Sequence, residues 1–184
     1  MSFRIRKAAV LGAGVMGSGI AAQLANAGIS VLLLDIVPPT VAEGEKADSK
    51  AFRNKFALGA LANLRKAKPA PLMTDRSLSL IEIGNFEDDL SRVAQCDWVV
   101  EVIKEDLKLK NQLFAKLEPL VSKTCIVSSN TSGMSIAGMI DGRSAHFKQR
   151  FLVTHFFNPV RYMKLLELVA GEKTEASVIQ AMAE

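Results

Sequence analysis

His155 stands in the stretch HFFNPVRYMKLLE, twelve positions before Glu167, in a chain of 184 residues with only two histidines. An imidazole can take up a proton near neutrality, and a carboxylate beside it can fix the ring and offset the charge it acquires. Both residues lie six positions from Arg161. A reversal of the chain around NPVRY would therefore bring them side by side. The same arithmetic fits an ordinary hairpin, so the pair alone does not decide between a base with its orienting carboxylate and a turn.

A second group of residues bears on that choice. GAGVMG, residues 12–17, fits the spacing G-x-G-x-x-G. In a strand-turn-helix setting, Gly12 allows the tight turn, Gly14 lets a pyrophosphate approach the backbone, and Gly17 lets the helix pack on the sheet. Val15 and Met16 supply the intervening positions of a loop whose free N–H groups face the phosphates at the helix N-terminus. Asp35 follows Gly17 by 18 residues and ends an apolar run, where a carboxylate accepts hydrogen bonds from ribose hydroxyls. Asp35 would repel a 2′-phosphate, and Ile36 and Val37 supply no arginine to offset it. NAD rather than NADP is the expected cofactor.

The elements that must carry these residues follow from periodicity. KAAVLGAG reads as a buried strand ending at Gly12, and a helix is expected over 15–27 with Gly28 as its C-terminal glycine. SVLLLD (30–35) is apolar throughout, as strands buried on both faces of a parallel sheet are. Pro38 and Pro39 suit a helix start, and a charged helical region is expected from there to about 67, stopped by KPAP. Strands are expected at 78–84, 97–103, 125–129 and in RFLVTHF and LLELVA, with helices at 86–95 and 109–121 and a last one after Thr174 as N-cap. Alternating strands and helices give an α/β fold: a doubly wound, mostly parallel sheet of the Rossmann type with helices on both faces. Gly12, Asp35, Glu101 to Glu105, Ser128 to Ser132 and His155 then fall at or just after strand ends, along one edge.

Composition narrows the class further. The formal charge is +4, with a basic cluster (Lys46, Lys50, Arg53, Lys55, Arg65, Lys66, Lys68) set against Asp48. That cluster is either a solvated helix face or a docking surface for an acidic ligand. No recognition motif accompanies it, so nucleic acid is not an expected partner. Residues 8–34 carry no charge and are long enough for a bilayer, but the five glycines at 12, 14, 17, 19 and 28 divide the run; no membrane span is expected. Cys96 and Cys125 lack any metal-ligand spacing, which suits a reducing cytoplasmic setting and suggests no metal site.

VLGAGVMGSGIA, VVEVIKEDLKLKNQLF, SSNTSG and HFFNPVRYMKLLE together resemble the NAD-binding domain of the L-3-hydroxyacyl-CoA dehydrogenases of fatty-acid β-oxidation, over essentially the whole chain. KPAPL with NPVRYMKLLE looks closest to the bacterial multifunctional forms. The resemblance implies NAD-dependent oxidation of an L-3-hydroxyacyl-CoA to the 3-ketoacyl-CoA. His155 matches the family's catalytic base, Glu167 its orienting carboxylate, Ser132 the serine on the substrate oxygen and Asn158 an asparagine supporting the pocket. Glu105 and Lys110 match positions that contact NAD. Their plainer reading is a solvated, charged helix start. His146 matches no motif and is expected at the surface. Lys66 and Lys68 are candidates for coenzyme A contacts, although spacing in 46–68 departs from the family pattern, and Gly133 replaces a common serine. The family's helical C-terminal domain, which closes the acyl site and mediates dimerisation, has no counterpart in these residues. Residues 1–184 are thus expected to be one NAD-binding domain of a longer polypeptide, acting as a homodimer or in a multidomain parent. Two other readings stay open: a β-hydroxyacid dehydrogenase acting on small free acids, and a non-catalytic dinucleotide binder similar to the λ-crystallins.

Overall fold

A computed structural model describes residues 4–184. In chain order, β1 (Lys7–Leu11) leads through the glycine turn into α1 (Val15–Asn26) and β2 (Ser30–Asp35). Next come α2 (Lys50–Arg53), α3 (Lys55–Lys66), α4 (Asp75–Leu78) and β3 (Ile81–Asn85). A 3-10 turn at Leu90–Gln95 precedes β4 (Trp98–Glu101), α5 (Leu107–Leu117) and β5 (Ile126–Ser129). The chain continues through α6 (Ile136–Met139), α7 (Ala145–Gln149), β6 (Phe151–Phe156), β7 (Leu166–Ala170) and α8 (Ala176–Ala183).

The seven strands form one sheet in the order β3-β2-β1-β4-β5-β6-β7. All neighbours are parallel except β6 and β7, which are antiparallel. Alternate strand residues feed two cores. Ala8, Val10, Val31 and Leu33 face α1, α3 and α8, while Ala9, Leu11, Leu32 and Leu34 face the side of α5 and α7. The order reverses between β1 and β4, and that switch point opens a crevice beyond the strands' carboxyl ends.

The glycine turn fits this geometry closely. Gly12 has φ +114°, and a Cβ there would lie 2.6 Å from the carbonyl oxygen of Val102. A Cβ on Gly17 would drive into the carbonyl oxygen of Gly12, so α1 can leave the strand at this angle only without a side chain there. At the other end Gly28 has φ +81°, and the N–H groups of Gly28 and Ile29 close the helix on Ala25 and Leu24. The apolar run at 8–34 is thus divided among strand, turn, helix and strand, and no helix among the described residues is long and apolar enough to cross a membrane.

Several boundaries differ from the sequence reading. The helix expected from Pro38 begins only at Lys50, where Ser49 accepts the N–H of Phe52; residues 36–49 are irregular, with Gly44 at φ +83°. Thr174 does not cap the last helix. Its hydroxyl accepts the N–H of Gly171 and donates to the carbonyl of Phe151, tying the end of β7 to β6, and Glu175 occupies the cap position. Residues 86–89 are not helical, because the Asn85 side chain accepts the N–H groups of Glu87 and Asp88 and holds a turn.

Candidate active site

β6 and β7 pair with His155 directly opposite Glu167, which puts both side chains on one face. The register is the one centred on Arg161. His155 Nδ1 lies 2.9 Å from Glu167 Oε2, and the side chains are 20% and 49% exposed. A carboxylate only accepts, so Nδ1 is the donor, and in the neutral ring that leaves the lone pair on Nε2. Phe157 packs against the imidazole with ring centroids 4.4 Å apart.

His155 opens into a cleft of about 570 Å³ bounded by the glycine loop, Glu105, Asn130, Ser132 and Asn158. A larger cleft, about 840 Å³, lies between α1, α3 and the 158–162 loop; Asp35, Phe56, Asn63, Lys68 and Arg161 line it. Gly14, Val15 and Asn158 border both, so the two form one continuous groove. Lys66 is exposed in the last turn of α3 and lines neither cleft.

The residues present fit a dinucleotide. Gly14 is the N-cap of α1 with no side-chain cap, and a Cβ added to it would meet nothing within 4 Å, which leaves room for a phosphate against the backbone. Asp35, the last residue of β2, lies beside the same loop, its carboxylate accepting the N–H groups of Ala13 and Ile36 at 2.6 and 2.7 Å. Each oxygen keeps a further lone pair for a ribose hydroxyl. Lys55, on the same cleft, is paired with Glu45 at 2.6 Å.

Glu105 is half-exposed at the rim and accepts the Thr131 hydroxyl at 3.1 Å. Lys110 is no solvated surface residue. It is 1% exposed, and its ammonium lies 2.7 and 2.9 Å from the two oxygens of Glu101, which is 0% exposed. That burial leaves Lys110 little surface for a ligand. Burial also pushes the Glu101 carboxyl up, while Lys110, Ser129 and the Ile103 N–H pull it back. Ser128 is a core residue, bonded to Trp98 and Thr154 rather than to the groove. His146 is exposed and bonds the carbonyl of Lys123.

Sequence reasoning assigned no contact to Asn130, Arg161, Tyr162 or Glu101. Asn130 accepts the N–H of Phe156 at 2.8 Å and so locks the residue next to the histidine. Arg161 donates to the carbonyls of Ala70 and Leu72, and Tyr162 to Ala70, clamping the segment after α3 against the loop between β6 and β7. No spacing pattern announces contacts across about ninety residues. Glu101 did leave a sign, as a lone carboxylate in an apolar strand.

Residues 7–184 match the family model of the 3-hydroxyacyl-CoA dehydrogenase, NAD binding domain. The chain belongs to that family. A "Probable 3-hydroxyacyl-CoA dehydrogenase" of Deinococcus radiodurans is 49% identical over 98% of the chain, which spans 50% of that relative. A Bacillus subtilis protein of the same name is 48% identical over 99% of the chain, which spans 24% of it. Among solved structures, 3-hydroxybutyryl-CoA dehydrogenase from Escherichia coli K12 superimposes with a TM-score of 0.76 at 30% identity, covering 96% of this chain and 35% of the other. The chain therefore spans about a quarter of one of these curated relatives and half of the other. The chain is thus an NAD-binding domain of an oxidoreductase family.

Proposed function

We propose that this chain supplies the NAD site and the catalytic base of an enzyme that oxidises L-3-hydroxyacyl-CoA to 3-ketoacyl-CoA in fatty-acid β-oxidation, within a longer polypeptide. The observation that carries the reading is the His155–Glu167 pair, 2.9 Å apart and opening onto the cleft that contains the glycine loop. His155 Nε2 takes the proton of the substrate hydroxyl, and Glu167 stabilises the imidazolium that results. Bound NAD would accept the hydride released from the same carbon. Ser132 hydrogen-bonds the substrate oxygen, and Asn158, on the border of both clefts, supports the pocket. Gly12, Gly14, Val15, Met16 and Gly17 hold the pyrophosphate, Asp35 the adenosine ribose, and Glu105 the nicotinamide end. The acyl-CoA enters on the α3 side of the larger cleft, and its phosphates meet Lys68, which lines that side. Lys66 is the weaker candidate for that contact. A longer parent polypeptide is supported by the length of the relatives, and we assign closure over the acyl chain and self-association to its further part. A reducing cytoplasmic location suits the two free, buried cysteines.

The test is NADH oxidation by the full-length protein with acetoacetyl-CoA or free acetoacetate. Turnover with acetoacetyl-CoA and little with acetoacetate is expected. Preference for the free acid would favour a small-hydroxyacid dehydrogenase, and NADH binding without turnover on either would favour a non-catalytic binder.

A further inference from the structure

The carboxylate of Glu101 is 0% exposed and surrounded by donors. Lys110 reaches both its oxygens, the Ile103 N–H donates to Oε1 at 2.7 Å, and Ser129 donates to Oε2. A buried ion pair is a weak source of stability, because desolvating two charges offsets most of their attraction. A well-packed apolar pair would serve the core equally well. The arrangement makes better sense from what it holds.

Glu101 ends β4 at the switch point, beneath the two loops that frame the smaller cleft. Its backbone carbonyl accepts the N–H of Asn130 at 2.8 Å, and its carboxylate fixes Ile103 just after Val102, whose carbonyl closes on Gly12. Lys110 lies 3.7 Å from Glu105 Oε2, the atom that also accepts the Thr131 hydroxyl. That hydroxyl in turn accepts the N–H of Met134 at 3.2 Å. One buried carboxylate thus joins the loop after β4, the start of α5 and the loop carrying Ser132.

We propose that Glu101 is a positioning residue for the nicotinamide end of the cofactor groove, holding Lys110 and, through it, Glu105 and the 130–134 loop at the spacing the ring requires. Lys110 then acts through Glu105 and the loop rather than by touching the cofactor. The inference rests on the reading that the smaller cleft takes the nicotinamide. Asp35 and the pyrophosphate turn are outside this network, so the adenosine half of the site should not sense it.

The experiment compares the affinities of NADH and ADP-ribose by calorimetry. Glu101→Gln alone would strand a buried ammonium and cost stability, so the variant of choice is Glu101→Leu with Lys110→Met. The ratio of NADH to ADP-ribose affinity is expected to fall about tenfold, with ADP-ribose affinity unchanged. An unchanged ratio in a folded variant, or an equal loss for both ligands, would overturn the proposal. Should the double variant fail to fold, Thr131→Val cuts the same network at the rim. A selective loss of NADH affinity is expected there too, and no change or an equal loss overturns the proposal. If the unmodified protein bound neither ligand, the cofactor assignment itself would fail instead.

Discussion

His155 can serve as a base only through the nitrogen that Glu167 leaves free. Glu167→Gln keeps a hydrogen-bonding group 2.9 Å away but removes the charge that stabilises the imidazolium, so kcat is expected to fall by about tenfold to a hundredfold with NADH affinity unchanged. Steady-state assays beside calorimetric titration would show it, and an unchanged kcat would refute the pairing. Asp35 lines the larger cleft, at the other end of the groove. NADP is expected to bind at least about tenfold more weakly than NAD, because its 2′-phosphate meets a carboxylate followed by Ile36 and Val37. Equal dissociation constants would rule this out. That His155 would face Glu167, and that Asp35 would end β2 beside the glycine loop, was legible from residue type and spacing, since each depends on short-range geometry. Lys110 was not: in LKLKNQ it reads as solvated, and only the packing of α5 on the sheet reveals it as buried.

Elements decide how well those residues are held, and the glycine turn offers a sharp contrast. Gly17→Ala sets a Cβ against the Gly12 carbonyl and is expected to cost about 1–3 kcal/mol of stability as well as cofactor binding. Gly14→Ala meets open space, so the melting temperature should hardly move while NAD affinity falls, because the new methyl occupies the phosphate's place. Thermal melts with paired titrations separate the two, and matching stability losses would contradict this account of the turn. The flanks of β4 and β5 give a different check. Burial pushes the thiols of Cys96 and Cys125 up to about 11 and about 12, so the thiolate needed for attack is scarce at neutral pH. Neither should react with a thiol reagent at pH 8 until the protein is unfolded, and rapid native labelling would contradict the burial. Apolar strands and the glycine-bounded α1 were readable because their patterns are local and strong. α6 and α7, of four and five residues, were not, because one turn capped by Ser135 or Ser144 has no period to detect. The irregular 36–49 segment was misread for a related reason: prolines that suit a helix start do not supply a cap or an apolar face.

Across the whole molecule, the strand order gathers the glycine loop, Asp35, Glu105, Ser132 and His155 along one edge, where two clefts share Gly14, Val15 and Asn158. The sheet and both its cores are built within these 184 residues, so the chain is expected to fold and bind NADH on its own. Dehydrogenation by the chain alone should be slow. His155 and Glu167 stand on a groove open to water, and substrate positioning and water exclusion account for several kcal/mol of barrier lowering. Activity with acetoacetyl-CoA within about tenfold of the full-length protein would show that closure matters less than this. That the edge would be shared was foreseeable from the alternation of strands and helices; that Arg161 would clamp carbonyls at 70 and 72 was not, since the partners meet only once the sheet is assembled. The most direct measurement is NADH oxidation with acetoacetyl-CoA by full-length protein carrying His155→Ala, read beside its NADH affinity. A fall in kcat of about a hundredfold or more with NADH affinity unchanged is expected, and turnover near the unmodified rate would contradict the assignment of His155 as the base.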